Sequence, residues 1–199
     1  MTPSQRAAIV LAVPAALAAL ALVTASGVAS AATKTAPSHL TVFVANRGSH
    51  SVTPIFTATG RKGKLIQAGH LPQAIAITPN YKMAYVANDA HHHGDGTVTP
   101  IQIATSTALP SITVGNEPDA LAITPDGRTL YVLNNGSRTV TPISTATNTA
   151  LTPIPTGVNP NVLVLSPGGK TLYVTGPGES VLPIITDAPT LTSPCHLCI

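Results

Sequence analysis

The sequence is poor in charge, in aromatic residues and in cysteine. Charged residues make up 9% of its 199 positions, and the net charge of +3 is spread thinly. This balance excludes a disordered polyelectrolyte and disfavours a nucleic-acid partner, because phosphate binding needs dense Lys and Arg. Aromatic residues are 3% with no Trp, whereas there are 19 prolines and 15 glycines. That composition argues against long helices and favours many short strands separated by turns.

The two cysteines, Cys195 and Cys198, both lie within the last five residues. A disulfide between them would close a very small loop and add little stability, so the core must rest on packing. A covalent haem needs a histidine directly after the second cysteine, where Ile199 stands. A lone Cys-x-x-Cys supplies too few zinc ligands, so Cys195, His196 and Cys198 are weak metal candidates. We interpret residues 185–199 as a C-terminal tail.

Residues 1–31 have the order of a secretory signal peptide. Arg6 precedes the apolar run 7–23, and Ala29-Ser30-Ala31 has the small-x-small spacing that signal peptidases accept. The alternative is an uncleaved membrane anchor, since the run is just long enough to span a bilayer. Pro14 and the lack of a following basic stop favour cleavage. We therefore expect a secreted or cell-envelope protein that begins near Ala32 and has no stable membrane span.

One unit is repeated four times along the rest of the chain. Its first mark recurs at spacings of 42, 46 and 42 residues: Phe43-Val44-Ala45-Asn46, Tyr85-Val86-Ala87-Asn88, Tyr131-Val132-Leu133-Asn134 and Tyr173-Val174-Thr175-Gly176. A second mark follows each: Val52-Thr53-Pro54-Ile55, Val98-Thr99-Pro100-Ile101, Val140-Thr141-Pro142-Ile143 and Val181-Leu182-Pro183-Ile184. Such a regular internal repeat indicates an array of similar structural units.

Each unit contains the pattern of four short strands. The first is apolar throughout, as in 120–124, and Pro125-Asp126-Gly127 then supplies turn chemistry. A period near 42 residues with four strands is typical of a propeller blade. The predicted fold is therefore an all-β propeller of about four four-stranded blades, with repeats at 32–73, 74–119, 120–161 and 162–184. The sequence leaves open a closed small ring, an open arc of a larger propeller from a truncated gene, and two arcs that associate into a larger ring.

The stretch 118–134, PDALAITPDGRTLYVLN, resembles the YVTN-repeat β-propeller family, which includes YncE-like exported bacterial proteins. The resemblance covers 74–184 well and 32–73 more loosely, and it implies a short or truncated member of that family. It specifies the fold rather than the function, because the motif consists of structural residues. One departure is the proline of the third strand, at Pro54, Pro100, Pro142 and Pro183. Proline removes a ladder donor, so we expect a bulge or an early strand end there.

The repeat aromatics Phe43, Tyr85, Tyr131 and Tyr173 are expected to pack between neighbouring blades, because every unit must bury the same face. Loops are the better candidates for a binding site. The insertion His91-His92-His93 should share one rim with the loops between blades. The candidate ligand-binding residues on that rim are His70, His91, His92, His93, Asp95, Asn116, Glu117, Asp119 and Asn159. His91 and His93 are also weak metal candidates.

No catalytic motif is visible, so we expect a binding or scaffold protein without a cofactor. Its partner would be an extracellular protein, a cell-wall component or a small ligand, and a homodimer through open blade edges is a further possibility. The alternative is a propeller-type hydrolase or lyase, similar to lactonases, with a metal-assisted site on the rim. Glu117, Asp119, His70 and the histidine insertion would then contribute. Metal content after purification without a His tag distinguishes the two.

Overall fold

The structure is a computed structural model, and it describes residues 8–14, 40–90, 94–157, 159–177 and 181–186. These ranges form four antiparallel sheets, and their only helical element is a short 3-10 turn, Arg47–Ser49. Within each sheet the first three strands pair in chain order, and in the first three sheets the two short strands that follow both pair with the third strand. The protein is therefore all-β and built of propeller-like blades, as the repeats predict.

The first sheet consists of β1 (Ala8–Pro14), β2 (Leu40–Asn46), β3 (Ser51–Phe56), β4 (Arg61–Lys62) and β5 (Ile66–Gln67). The second consists of β6 (Pro72–Ile77), β7 (Met83–Asn88), β8 (Thr97–Gln102), β9 (Thr107–Ala108) and β10 (Ile112–Thr113). The third consists of β11 (Pro118–Ile123), β12 (Thr129–Asn134), β13 (Thr139–Ser144), β14 (Thr149–Ala150) and β15 (Ile154–Pro155). The fourth consists of β16 (Val162–Leu165), β17 (Thr171–Thr175) and β18 (Val181–Ile185).

The sheets pack in a row, face against face. The inner strand β6 contacts both β1 and β11, and β11 contacts β16. Between each pair of sheets lies one apolar cluster, in which the repeat aromatic of one blade meets the aliphatic face of the next. Tyr85, for example, packs with Leu130, Val132 and Ile143 of the third sheet. The core is therefore divided into three layers between sheets.

The predicted packing of the repeat aromatics is confirmed for three of the four. Phe43, Tyr85 and Tyr131 are 1%, 0% and 5% exposed. The Tyr85 hydroxyl also donates to Asn148 Oδ1, 2.7 Å away in the following blade. For Tyr173 the expectation is wrong: it is 41% exposed, because no described sheet covers its face of the fourth sheet.

The inner strand of the first blade differs from its counterparts. In the later blades the inner strand directly precedes its partner, whereas β1 comes from Ala8–Pro14 and pairs antiparallel with β2. That segment lies within the predicted signal peptide, and the repeat predicts a first unit that starts near residue 32. Cleavage after Ala31 would remove β1 and leave this edge of β2 open. The signal itself stays a prediction.

The strand prolines do not cause the expected bulge or early strand end. Pro54, Pro100 and Pro142 lie inside continuous strands, each opposite the aromatic of the second strand. Their carbonyls accept from Gly63, Leu109 and Leu151 N at 2.7–2.8 Å on the outer side. Since N–H and C=O of one residue point the same way in an antiparallel strand, the missing donor also faces outward. The outer strand is broken at this point into two-residue pieces.

A repeated asparagine ties the second strand to the third inside the first three blades. Asn46, Asn88 and Asn134 donate through Nδ2 to Thr53, Thr99 and Thr141 Oγ1 at 2.8, 3.0 and 2.8 Å. Asn88 Oδ1 also accepts from Gly69 N at 3.1 Å, whereas Asn134 Oδ1 is buried without a partner in the described part of the chain. The three asparagines are thus equivalent in position but not in hydrogen bonding.

We expect Asn88→Ala to lower the free energy of unfolding by about 1–3 kcal/mol, since it removes buried hydrogen bonds on both sides of the amide. Asn134→Ala is the matched control and should cost less, because its carbonyl oxygen has no bond to lose. Urea denaturation of both variants measures the difference. Equal losses would contradict the assignment of the extra bond to Gly69.

Candidate functional site

Two kinds of loop meet at one end of the sheets, which we call the loop rim: those joining the second and third strands, and those joining consecutive blades. Gly96 N donates to Gly115 O at 3.1 Å, and Val114 N donates to Gly96 O at 2.9 Å. In the third blade, Asn135 N donates to Glu117 O at 2.9 Å. These bonds confirm that the two kinds of loop share a rim, as expected from the sequence.

Two rim side chains stand at β-bulges where the inner strand begins. The register of β6 shifts between Pro72 and Ala74, and that of β11 shifts between Pro118 and Ala120. Gln73 and Asp119 are therefore the extra residues, with no direct partner on the second strand. A bulge re-aims the side chain that it carries, and bulges are enriched beside active sites.

Equivalent positions in successive blades form a line of polar side chains along the loop rim. One position directly follows the last residue of the second strand, and the other follows the proline before or at the start of the inner strand. We call the six residues the inner-rim track: Arg47, Gln73, Asp89, Asp119, Asn135 and Asn161.

Contacts link neighbouring members of the inner-rim track across blade boundaries. The Arg47 guanidinium lies 3.9 Å from Asp89 Oδ2 of the next blade, and Gln73 Nε2 donates to the same oxygen at 3.2 Å. Asn135 Nδ2 donates to Pro160 O of the fourth blade at 2.9 Å and approaches Asn161 Oδ1 at 3.4 Å. Asp89 is buried, and the Arg47 guanidinium and the Gln73 amide stabilise its negative charge.

The carboxyl of Asp119, a member of the inner-rim track, has a raised pKa. Reduced hydration raises its pKa, the negative charges of Asp89 and Glu117 raise it further, and the Arg47 guanidinium partly offsets them. The Asp119 side chain nevertheless lies at the surface. A cation placed beside it would relieve the repulsion among the three carboxylates, so this part of the rim favours a basic group.

The histidines of the rim form a stacked pair. The rings of His50 and His70 lie 4.2 Å apart between centroids, at an interplanar angle of 22°. His50 Nδ1 accepts from Leu71 N at 3.0 Å, which fixes the ring in the loop between β2 and β3. The exposed His70 is thus backed by His50 and presents one face of its ring to the rim.

The structure brings together several of the residues predicted from the sequence. With its amide oriented to donate, Asn116 Nδ2 lies 3.1 Å from Asp95 Oδ1 and 3.0 Å from Gly94 O. Glu117 acts on Asp119 through its charge. Asn159 is exposed on the rim beside the fourth sheet, away from these contacts.

The other candidates lie outside the described residues. They are His91, His92, His93, Cys195, His196 and Cys198. Their predicted roles in ligand or metal binding stay predictions.

Sequence reasoning missed Arg47, His50, Gln73, Asp89 and Asn135. Their signal was available in the repeat alignment: Arg47, Asp89 and Asn135 each follow the repeat asparagine directly. The position after the asparagine holds a different residue type in each of these blades, although the asparagine before it is the same.

In the described part of the chain, no group of three His, Cys, Asp or Glu side chains is placed to hold a metal ion. No helix in that part of the chain is long and apolar enough to cross a membrane. A depression of about 440 Å³ lies elsewhere, at the outer turn of the first blade, lined by Phe56, Ala58, Thr59, Arg61 and Lys62. It contains none of the predicted site residues.

Comparison with solved structures supports the β-propeller fold. The chain is similar to Kuenenia stuttgartiensis hydrazine synthase, a β-propeller-containing protein, with 29% sequence identity and a TM-score of 0.66. The match covers 73% of this chain and 42% of that chain, so the present chain spans less than half of its neighbour. No family model and no curated protein matches the sequence.

We expect Asp119→Asn to raise the melting temperature at pH 7 by about 1–3 °C, a small gain because the carboxyl is partly hydrated. A raised folded-state pKa means that the folded chain binds the proton more tightly, so ionised Asp119 costs stability as pH rises. The gain should vanish below pH 3.8, where the carboxyl is protonated in both states.

Asp126→Asn is the control with the opposite sign. Hydrogen bonds from Thr124 and Arg128 N lower the pKa of Asp126, so its ionised form stabilises the turn at neutral pH. Thermal melts between pH 3 and pH 8 should therefore show no gain for this variant. A lower melting temperature for Asp119→Asn at pH 7 would refute the assignment.

Proposed function

We propose that the protein is an exported, YVTN-type β-propeller module that binds a partner through its loop rim and performs no catalysis itself. Four blades form the scaffold, and the inner-rim track is the recognition surface. The sequence resemblance and the similarity of the fold to a propeller-containing protein support the scaffold. The order of a signal peptide in 1–31 supports export.

The observation that carries the proposal is the contrast between repeated and unrepeated positions. The aromatic and the third-strand proline recur in all four units, and the asparagine recurs in the first three. In the inner-rim track, the position after the second strand instead holds arginine, aspartate and asparagine in successive blades. The position after the proline holds glutamine, aspartate and asparagine. A structural requirement shared by all blades would produce a shared residue. Some of these residues bond to one another, and we infer that the variation among them also serves contacts outside the scaffold.

The charges of the track favour a partner with a basic group. Arg47 is already engaged by Asp89, so the repulsion of Asp89 and Glu117 on Asp119 is only partly offset. An amine or a guanidinium beside Asp119 would lower the carboxyl pKa and be held by charge-assisted hydrogen bonds. A basic side chain of an extracellular protein, an amine of a cell-wall component and a small cationic ligand all present this chemistry.

A hydrolase or lyase is the second candidate, and the raised pKa of Asp119 favours it. Carboxyls with raised pKa values serve as general acids in active sites. The metal content of the purified, untagged protein and its activity on simple lactones test this candidate. Stoichiometric zinc together with lactone hydrolysis would replace the binding proposal by the enzymatic one.

We expect hexalysine to bind the protein and hexaglutamate not to bind, as measured by calorimetry at low ionic strength. The net charge of +3 opposes hexalysine, so binding would report a local negative site. The double variant Glu117→Gln, Asp119→Asn should weaken hexalysine binding roughly threefold to tenfold, the range expected for exposed charge pairs.

Asp126→Asn is the control for the single variant Asp119→Asn, because each removes one negative charge and Asp126 lies in a turn outside the loop rim. Its affinity for hexalysine should equal that of the unmodified protein. Equal weakening in both variants would mean that the peptide responds to overall charge, and the rim would no longer be the proposed site.

A further inference from the structure

One apolar face of the fourth sheet is covered by no other described sheet, and we call it the tail face. Its residues alternate along all three strands with those of the buried face. Val164, Tyr173 and Pro183 lie side by side on it, on neighbouring strands. Val164 is 53% exposed and Tyr173 41%. The residues of the tail face are Val162, Val164, Tyr173, Val181, Pro183 and Ile185.

The first sheet carries the complementary surface, which we call the head face: Val42, Val44 and Ile55. In the second, third and fourth sheets the equivalent positions are buried against the repeat aromatic of the preceding blade. Val86, Val132 and Val174, which correspond to Val44, are at most 1% exposed. The three head-face residues are only half-buried, because no described sheet precedes them.

We propose that two copies of this chain join head to tail, with the tail face of each copy packed on the head face of the other. The contact would be a further example of an interface that the chain already forms three times internally. Tyr173 would take the position that Phe43, Tyr85 and Tyr131 hold between blades. The aliphatic residues that receive it, Val44 and Ile55, match the residue types found in the internal interfaces.

A second copy fits both ends at once. With two-fold symmetry, the tail of each copy meets the head of the other, so the assembly closes and leaves neither face exposed. Two arcs of four sheets give about eight blades, within the range of known propellers. Among the described residues the head and tail faces of one copy do not cover each other, since the tail face remains exposed.

The first test compares solution mass with protomer mass. The chain as the host produces it is measured by light scattering after size exclusion, and its intact mass is taken by mass spectrometry. We expect a ratio of two that does not change with concentration. A ratio of one overturns the proposal, and so does a mass that grows with concentration, which would indicate open chains of copies.

The second test disrupts one face at a time. Tyr173→Glu on the tail and Val44→Glu on the head should each give a monomer that melts cooperatively. Ile55→Glu serves as the head variant if Val44→Glu fails to fold. Leu151→Glu, at an exposed leucine of the third blade away from both faces, should remain a dimer.

Mixing the two monomeric variants identifies the geometry. The intact head of the Tyr173→Glu chain can pair with the intact tail of the Val44→Glu chain, so we expect a dimer only in the mixture. If Val44→Glu alone stays dimeric, the copies pair tail to tail and the proposal is wrong. If Tyr173→Glu alone stays dimeric, they pair head to head, with the same consequence.

Discussion

The structure depends on the packing of one sheet face against the next. A sheet of a few short strands has two faces and little thickness, so it cannot bury its own apolar side chains. Each blade solves this by presenting an aromatic on one face and branched aliphatic residues on the other. Tyr85 of the second blade packs with Leu130 and Ile143 of the third, and this contact buries apolar area that neither sheet can bury alone. The same constraint explains why apolar side chains are more exposed on the end faces of the row than between its sheets.

The hydrogen bond between the repeat asparagine and threonine connects this packing to the loop rim. It fixes the end of the second strand, directly before Arg47, Asp89 and Asn135 leave the sheet. In the fourth unit Gly176 and Leu182 stand at the two positions, so both partners are absent together. Because the asparagine and the threonine are lost together, no buried polar group is left without its partner. Loss of only one of them would leave the other without its hydrogen bond. The framework that orients the rim is therefore complete in three blades, and the inner-rim track ends at the fourth.

Much of the fold could be predicted from the sequence, because its constraints repeat. The spacing of the repeat aromatics predicts the blades. The packing of these aromatics between sheets follows because every unit must bury the same face. The exposure of Tyr173 depends on whether another sheet follows, which a repeat motif does not encode. The inner strand of the first blade comes from a distant segment, whereas in the later units it directly precedes its partner, so the repeat could not predict the pairing of β1 with β2. Of the site, Asp119 could be predicted, but not its bulge: the register shift follows from strand pairing, which the side-chain pattern does not specify.

The edges and faces of the end blades differ in their tendency to associate, and the prolines explain the difference. An open strand edge recruits another strand, and short edge strands and proline suppress this. Here every described outer strand is broken into two-residue pieces opposite a proline that has no donor on that side. The outer edges are therefore poor templates for pairing, whereas the tail face around Tyr173 offers apolar area without any such protection. The prolines that recur in every unit thus make the outer blade edges weaker templates for association than the tail face. Stacking of faces is the contact by which the blades already pack on one another.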